Sequence, residues 1–252
     1  MTRIIAVHSY RGGTGKSHLT ANLAAQLAVQ GRRVAVVDTD LPSPGIHNLF
    51  GLAPGDVDKT LNHFLWGLAG IDEVCCEVGT RLGVRPPGRL WLVPSSVRAD
   101  DIARILKDGF DVRTLHDGLR ALSARLGLDV LFIDTHPGLS KETFLSIAMA
   151  DLVVLVLRPD KQDFQGTAVT VDVARELRVN DMLLAINKVH GKLDPEALRE
   201  RVEQAYRLPV GAVFPLSEEV AQLASEGVFS LERPDHPITR EIVRLAARVM
   251  SH

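Results

Sequence analysis

Thiols are scarce in this chain: its only cysteines are the neighbours Cys75 and Cys76. Adjacent cysteines rarely pair with each other, and two give no disulfide framework. They also form no CxxC of the kind that holds a metal or an electron-carrying cluster. Long hydrophobic runs are missing as well. Nothing approaches the roughly 20 apolar residues of a membrane span. The opening MTRIIAVHSY has an apolar core of only four residues before His8, too short for a signal peptide. An excess of one charge is absent, the net charge being −2, so no bulk field draws the chain to nucleic acid or membrane. Any such contact has to come from a local patch. The expected compartment is the cytoplasm.

What is present is a series of short, continuous apolar runs: IIAV (4–7), VAVV (34–37), LWLV (90–93), VLFI (130–133), LVVLVL (152–157), MLLAI (182–186) and VGAVF (210–214). They do not alternate with polar residues, which fits strands covered on both faces in a parallel sheet. Helical patterns lie between them. Leu19, Leu23 and Leu27 repeat every four residues. Asp194-Pro195-Glu196 reads as a helix start, with a capping side chain followed by proline at the first helical position. Ile238, Ile242, Leu245 and Val249 share a face of the last segment. Strand–helix alternation throughout predicts one α/β domain over residues 1–252, a doubly wound, mostly parallel sheet flanked by helices. The stretch 42–89, with Pro42, Pro44, Pro54, Pro86 and Pro87, reads as an insertion of loops and short helices.

The stretch HSYRGGTGKSHLT (8–20) follows a strand and opens a helix, the context that a phosphate-binding loop requires. Backbone N–H groups of Gly12, Gly13, Thr14, Gly15, Lys16 and Ser17 are placed to wrap a β-phosphate. The glycines permit the tight turn, and the helix N-terminus adds positive potential. Lys16 would reach the β/γ-phosphates, and the Ser17 hydroxyl would ligate Mg²⁺. His18 completes the candidate nucleotide-binding set. Tyr10 stands where such loops commonly carry glycine, at a position that leads into the turn.

RGGTGKS resembles the loop of the ParA/MinD group of deviant Walker P-loop ATPases, whose form is KGGxGK[ST]. Arg11 then occupies their signature-lysine position. In that family the residue reaches across a dimer interface to the partner's nucleotide. Arginine keeps the charge but replaces a point charge with a planar fork. Two roles stay open for Arg11: bridging to a phosphate in trans, as an arginine finger does, or binding a carboxylate of its own subunit.

Further motifs follow in the family's order over nearly the whole chain. VVDTD (36–40) is similar to its D-x-D element, which implies Asp38 near the Mg²⁺ shell and Asp40 positioning the attacking water. VLFIDTHPG (130–138) is similar to a Walker B strand and switch, implying Asp134 toward a Mg²⁺-bound water and the Gly138 N–H toward the γ-phosphate. His136 is a candidate catalytic base, though such a histidine is more often structural or partner-facing. Asn187, in LLAINKVHG, would read the adenine edge. Pro215 and Leu216, in VFPLSEEVAQLASEG, would lie against the base through their backbone. Arg158, Asp160, Gln162 and Gln165 are candidate dimer-face residues.

The resemblance implies an ATP- and Mg²⁺-dependent switch that forms a homodimer with ATP. It also implies slow hydrolysis stimulated by a partner protein, and positioning or partitioning of an intracellular cargo. The last segment, PITREIVRLAARVMSH, carries Arg240, Arg244 and Arg248 spaced by four. It lacks the aromatic anchors of a membrane-surface helix, so it reads as a helix packed on the sheet. Non-specific DNA contact through surface arginines is favoured over membrane. Between residues 98 and 125, arginines alternate with aspartates, which reads as a charge-balanced surface. The main rival is a nucleotide-binding scaffold with little hydrolysis. A tyrosine kinase built on this loop would need a tyrosine cluster, and the chain has only Tyr10 and Tyr206.

Overall fold

The computed structural model describes residues 1–85, 87–179, 181–223 and 226–251. Pro86, Ala224, Ser225 and His252, which fall in segments read above, lie outside the described residues. In chain order the elements are β1 (Arg3–His8), α1 (Lys16–Val29), β2 (Arg33–Asp38), α2 (Ile46–Leu49), a 3₁₀ turn (Pro54–Asp56), α3 (Leu61–Leu65), β3 (Cys76–Glu77), β4 (Arg89–Val93), α4 (Ala99–Asp108), α5 (Val112–Leu126) and β5 (Val130–Asp134). They continue with α6 (Lys141–Ala148), β6 (Leu152–Leu157), α7 (Lys161–Glu176), β7 (Met182–Val189), α8 (Pro195–Tyr206), β8 (Val210–Pro215), α9 (Glu218–Gln222), α10 (Phe229–Glu232) and α11 (Pro237–Ser251).

All seven apolar runs are strands. They form an eight-stranded sheet of order β3-β4-β2-β5-β1-β6-β7-β8. Every pairing is parallel except β3 with β4. The continuous runs are explained by cover on both faces. Along β2, Val34 and Val36 join one core layer with Leu23, Leu27, Leu245 and Val249. Ala35 and Val37 face the opposite layer with Leu115, Leu119 and Leu131. A third cluster covers β6 and β7 with Val171, Leu198 and Val202. Successive strand residues point to opposite faces, so both parities must be apolar.

The stretch 42–89 holds the short helices expected of it and also supplies β3, an antiparallel edge strand that no apolar run announced. Asp194 caps α8 by accepting the N–H of Glu196. Ile238, Ile242, Leu245 and Val249 of α11 are all buried, so this helix is packed into the core. Its arginine stripe is broken, because Arg248 turns inward to donate to the Val210 carbonyl at 3.1 Å. In the 98–125 region arginines pair with the interleaved aspartates, as in Arg104–Asp108 and Arg98–Asp101, while Arg125 reaches Asp72 outside it.

Strand β1 lies between β5 and β6, where construction of the sheet passes from one side to the other. The carboxyl ends of strands at such a reversal open a crevice for ligands. The phosphate-loop candidate leaves the end of β1 at that point.

Candidate functional site

The turn between β1 and α1 is built on two glycines in the left-handed region, Gly13 (φ 75°) and Gly15 (φ 96°). Gly15 also has no room for a side chain: a Cβ there would lie 2.4 Å from the Asn187 amide nitrogen. That nitrogen donates to the Thr14 carbonyl at 2.8 Å, and Lys188 Nζ donates to the Gly13 carbonyl at 2.7 Å. Lys188 itself adopts φ 57°, a conformation uncommon for a residue with a side chain and costing about 1 kcal/mol. Asn187 Oδ1 accepts its N–H at 2.9 Å. The end of β7 thus braces the loop by its carbonyls and leaves the loop amides to face the crevice. Asn187, expected to read the base, serves first as this brace. It retains a second N–H and a second lone pair.

Three carboxylates converge below the loop. Asp38 and Asp134 are register partners at the ends of β2 and β5, and Asp40 follows two residues later. Lys16 Nζ lies 2.9 Å from Asp134 Oδ1 and 3.3 Å from Ser17 Oγ. The Thr20 hydroxyl also donates to Asp134 Oδ1, at 3.2 Å. Asp38 Oδ1 accepts the Asp40 N–H at 3.0 Å. Its Oδ2 is buried with no hydrogen-bond partner among the described residues. Burial first, and then the neighbouring Asp134 carboxylate, hold Asp38 well above the usual carboxylate range.

This donor set fits a hydrated divalent cation next to phosphate. Hard carboxylate and hydroxyl oxygens surround the place, one carboxylate oxygen is orphaned, and a single buried lysine faces two buried acids. Among the described residues, no group of three or more His, Cys, Asp or Glu side chains is arranged to hold a metal alone. Mg²⁺ is generally bound through one or two carboxylates, waters and the substrate's own phosphates, and Ser17, Asp38 and Asp134 would supply the protein oxygens.

Behind the loop, His8 closes β1. Burial, then the nearby Lys16 charge, push its imidazole down to about 3. The Thr135 hydroxyl donates to the Val7 carbonyl at 3.0 Å, so His8 Nδ1 carries the proton in its 2.8 Å bond to Thr135 Oγ1. His136 lies on the loop after β5, and its Nδ1 is 2.7 Å from Asp40 Oδ1. Gly138 (φ 89°) donates its N–H to the Ser9 carbonyl at 3.0 Å. The amide expected to meet a γ-phosphate is therefore committed to the loop entrance here.

Tyr10 does not obstruct the crevice. Its ring lies flat on α7 at Gly166, where a Cβ would fall 1.8 Å from Tyr10 Cδ1. A glycine inside a helix costs about 1 kcal/mol relative to alanine, and the close approach of this ring is the reason it stands there. Beside it, Arg11 Nη1 is 3.6 Å from both Asp160 Oδ1 and Asp163 Oδ1. Asp163 is buried and also takes Arg158 Nε at 3.0 Å. Asp160 caps α7 by accepting the N–H groups of Gln162 and Asp163. Of the two roles open to Arg11, the one within its own subunit is occupied in this structure. Gln162 and Gln165 stay exposed, whereas Arg158 and Asp160 are tied into this ion network.

On the other side of the loop a cavity of about 290 Å³ opens against Gly15, His18 and Asn187, walled by Leu19, Phe214 and Ile242. Pro215 and Leu216 line its rim. An apolar slot next to a phosphate loop is the expected seat of a nucleotide base. Thr20, Thr135 and Lys188 are site residues that the sequence reading missed. Only Lys188 carried a signal, the NK dipeptide next to the end of β7.

Cys75 and Cys76 are unpaired and far from this chemistry in kind. Burial pushes the Cys75 thiol up to about 12, away from the thiolate form that a nucleophile uses.

Comparison with known proteins agrees with this geometry. Residues 5–231 match the CobQ/CobB/MinD/ParA nucleotide binding domain family. An uncharacterized ATP-binding protein of Methanocaldococcus jannaschii is 28% identical over 253 residues, spanning 99% of this chain and 88% of its own. The flagellum site-determining protein YlxH of Helicobacter pylori is 28% identical over 201 residues, 80% of this chain and 63% of that protein. The septum site-determining protein MinD of Pyrococcus horikoshii, solved with Mg-ADP, superposes with a TM-score of 0.81 at 24% identity, covering 99% of this chain and 96% of that one. That likeness speaks to the fold, a mostly parallel P-loop sheet flanked by helices. With the family match running through the loop, both aspartate strands and the rim of the apolar cavity at Phe214 to Leu216, the chain belongs to the CobQ/CobB/MinD/ParA nucleotide binding domain family.

Proposed function

We propose that this protein is an ATP-dependent dimerising switch ATPase of the ParA/MinD type, which positions or partitions an intracellular cargo. The observation that carries the reading is the buried Lys16–Asp134 pair directly under an amide-lined loop, with the apolar base cavity opening from the same loop. Lys16 is within reach of a β/γ-phosphate by exchanging Asp134 for it. Ser17, Asp38 and Asp134 would hold Mg²⁺, which neutralises charge on the phosphates. Asp40, also buried but with 11% of its side chain exposed, would orient the attacking water. Arg11 must leave Asp160 and Asp163 to reach a second subunit. Support for a positioning role comes from the site-determining relative in Helicobacter pylori. The cargo surface favoured is DNA, met through exposed arginines such as Arg240 and Arg244. A second reading, a nucleotide-binding scaffold with little turnover, draws on the ion pairs that keep Arg11 within its own chain.

The test combines phosphate release, light scattering, and retention on DNA and on anionic liposomes, each with ATP, ADP or no nucleotide. ATP-dependent doubling of mass with slow phosphate release is expected, and Asp40→Ala should keep the ATP dimer while losing release. A monomer under all conditions would overturn the switch. Dimerisation without any phosphate release would favour the scaffold.

A further inference from the structure

We infer that His136 is the positioning residue for Asp40, holding its carboxylate in the orientation in which it meets the attacking water. The inference rests on the hydrolytic reading above and deepens it.

The two residues are 96 positions apart and come from different strand ends, β2 and β5. A carboxylate only accepts hydrogen bonds, so the 2.7 Å contact makes His136 Nδ1 the donor. Ser43 adds two more donors to the same oxygen, its N–H at 3.2 Å and its hydroxyl at 3.0 Å. All the hydrogen bonds that the described residues give this carboxylate therefore land on Oδ1, and Oδ2 is left to the crevice. The terminal torsion of an aspartate is broad and roughly two-fold, so the side chain does not choose this orientation alone. Ser43 belongs to Asp40's own loop and moves with it. His136 is the one tie on the Asp40 carboxylate from outside that loop among the described residues.

The loop carrying His136 is itself anchored to the nucleotide elements. Asp134 begins it and pairs with Lys16. Gly138 joins it to Ser9, at the entrance of the phosphate loop. The Thr143 hydroxyl holds the His136 carbonyl at 3.2 Å. A shift of this loop toward a phosphate thus reaches Asp40 through one imidazole.

Steady-state kinetics of His136→Ala, His136→Asn and Asp40→Ala, alone and combined, test the assignment. His136→Ala should lower kcat by about tenfold to a hundredfold, the cost of a small misplacement of a reacting group, with KM unchanged. Asparagine places an N–H near the Nδ1 position, so His136→Asn should recover most of kcat. In the Asp40→Ala background His136→Ala should have no further effect on turnover. A second readout needs no nucleotide. Unfolding of the wild type, both single variants and the double variant should show coupling of about tenfold in the unfolding constant, as expected for a hydrogen bond to a charged group. Wild-type kcat in His136→Ala, a defect that persists without Asp40, or independent unfolding effects would each overturn the inference. Should the wild-type protein release no phosphate, the hydrolytic reading falls, and zero coupling in the unfolding cycle would separately remove the tie.

Discussion

Replacing Gly166 by alanine should have opposite signs in two backgrounds, and the structure supplies the reason. The new Cβ would lie 1.8 Å from Tyr10 Cδ1, 2.2 Å from Cγ and 2.3 Å from Cε1. These atoms sit near the root of a rigid ring, so no flexible tip can bend away. The ring must leave its seat on α7. Overpacking of this kind costs about 1–3 kcal/mol. Against it, alanine inside a helix gains about 1 kcal/mol over glycine. The expected net effect in the wild-type protein is a loss of about 1 kcal/mol, or roughly 2–4 °C in Tm for a chain of this size. In a Tyr10→Gly background the seat is empty, and Gly166→Ala should stabilise by about 1 kcal/mol. Thermal and urea unfolding of the four proteins measure both arms. A rise in Tm on adding Gly166→Ala to the wild type, or one sign in both backgrounds, would refute the claim that the ring explains the glycine.

Lys16→Ala should abolish ATP binding in calorimetry and, without nucleotide, destabilise by about 3 kcal/mol, because Asp134 is left buried without its cation; retained affinity contradicts the role. Arg11→Ala should weaken ATP-dependent dimerisation in light scattering while leaving nucleotide affinity of the monomer intact; an unchanged dimer would assign Arg11 to its own chain alone. His8 is the pH prediction. Its folded imidazole takes a proton only at about 3, the unfolded ring near 6.5, so the unfolded chain binds more protons between those values and stability falls as pH drops through the window. The slope should reach about 1 kcal/mol per pH unit and vanish in His8→Gln. Urea midpoints measured at about pH 7 and about pH 5 compare the two proteins, and parallel losses would rule out His8 as the source.

The strands were legible because a parallel sheet covered on both faces demands uninterrupted apolar runs, as in LVVLVL. Strand β3 was not, because Cys76–Glu77 is two residues of an edge pairing with no pattern to reveal it. The loop could be read because its chemistry is local: glycines, Lys16 and Ser17 stand within a few positions of one another. What joins the loop to the rest was hidden by distance along the chain. Asn187 braces Thr14 across 173 positions, and Thr20 reaches Asp134 across 114. The departure at Tyr10 was visible from the start, while its complement at Gly166 looked like an ordinary small residue in a helix. The charge of Arg11 is plain in the sequence, but the two acids it rests on, Asp160 and Asp163, meet it only through the fold.

The brace from the end of β7 divides the cradle into two halves of different stiffness. Around Gly13, Thr14 and Gly15 the chain is held by a side-chain amide and an ammonium that need not let go when a ligand arrives. Across the crevice, the contacts of Arg11 with Asp160 and Asp163 and of Gly138 with Ser9 are ones that a second subunit or a terminal phosphate would replace. A diphosphate would ask only Lys16 to exchange its Asp134 partner, and the third phosphate would have the remaining contacts to unfasten. Discrimination between the spent and the charged nucleotide would then reside in the exchangeable half, and it would register as a difference in conformation more than in affinity.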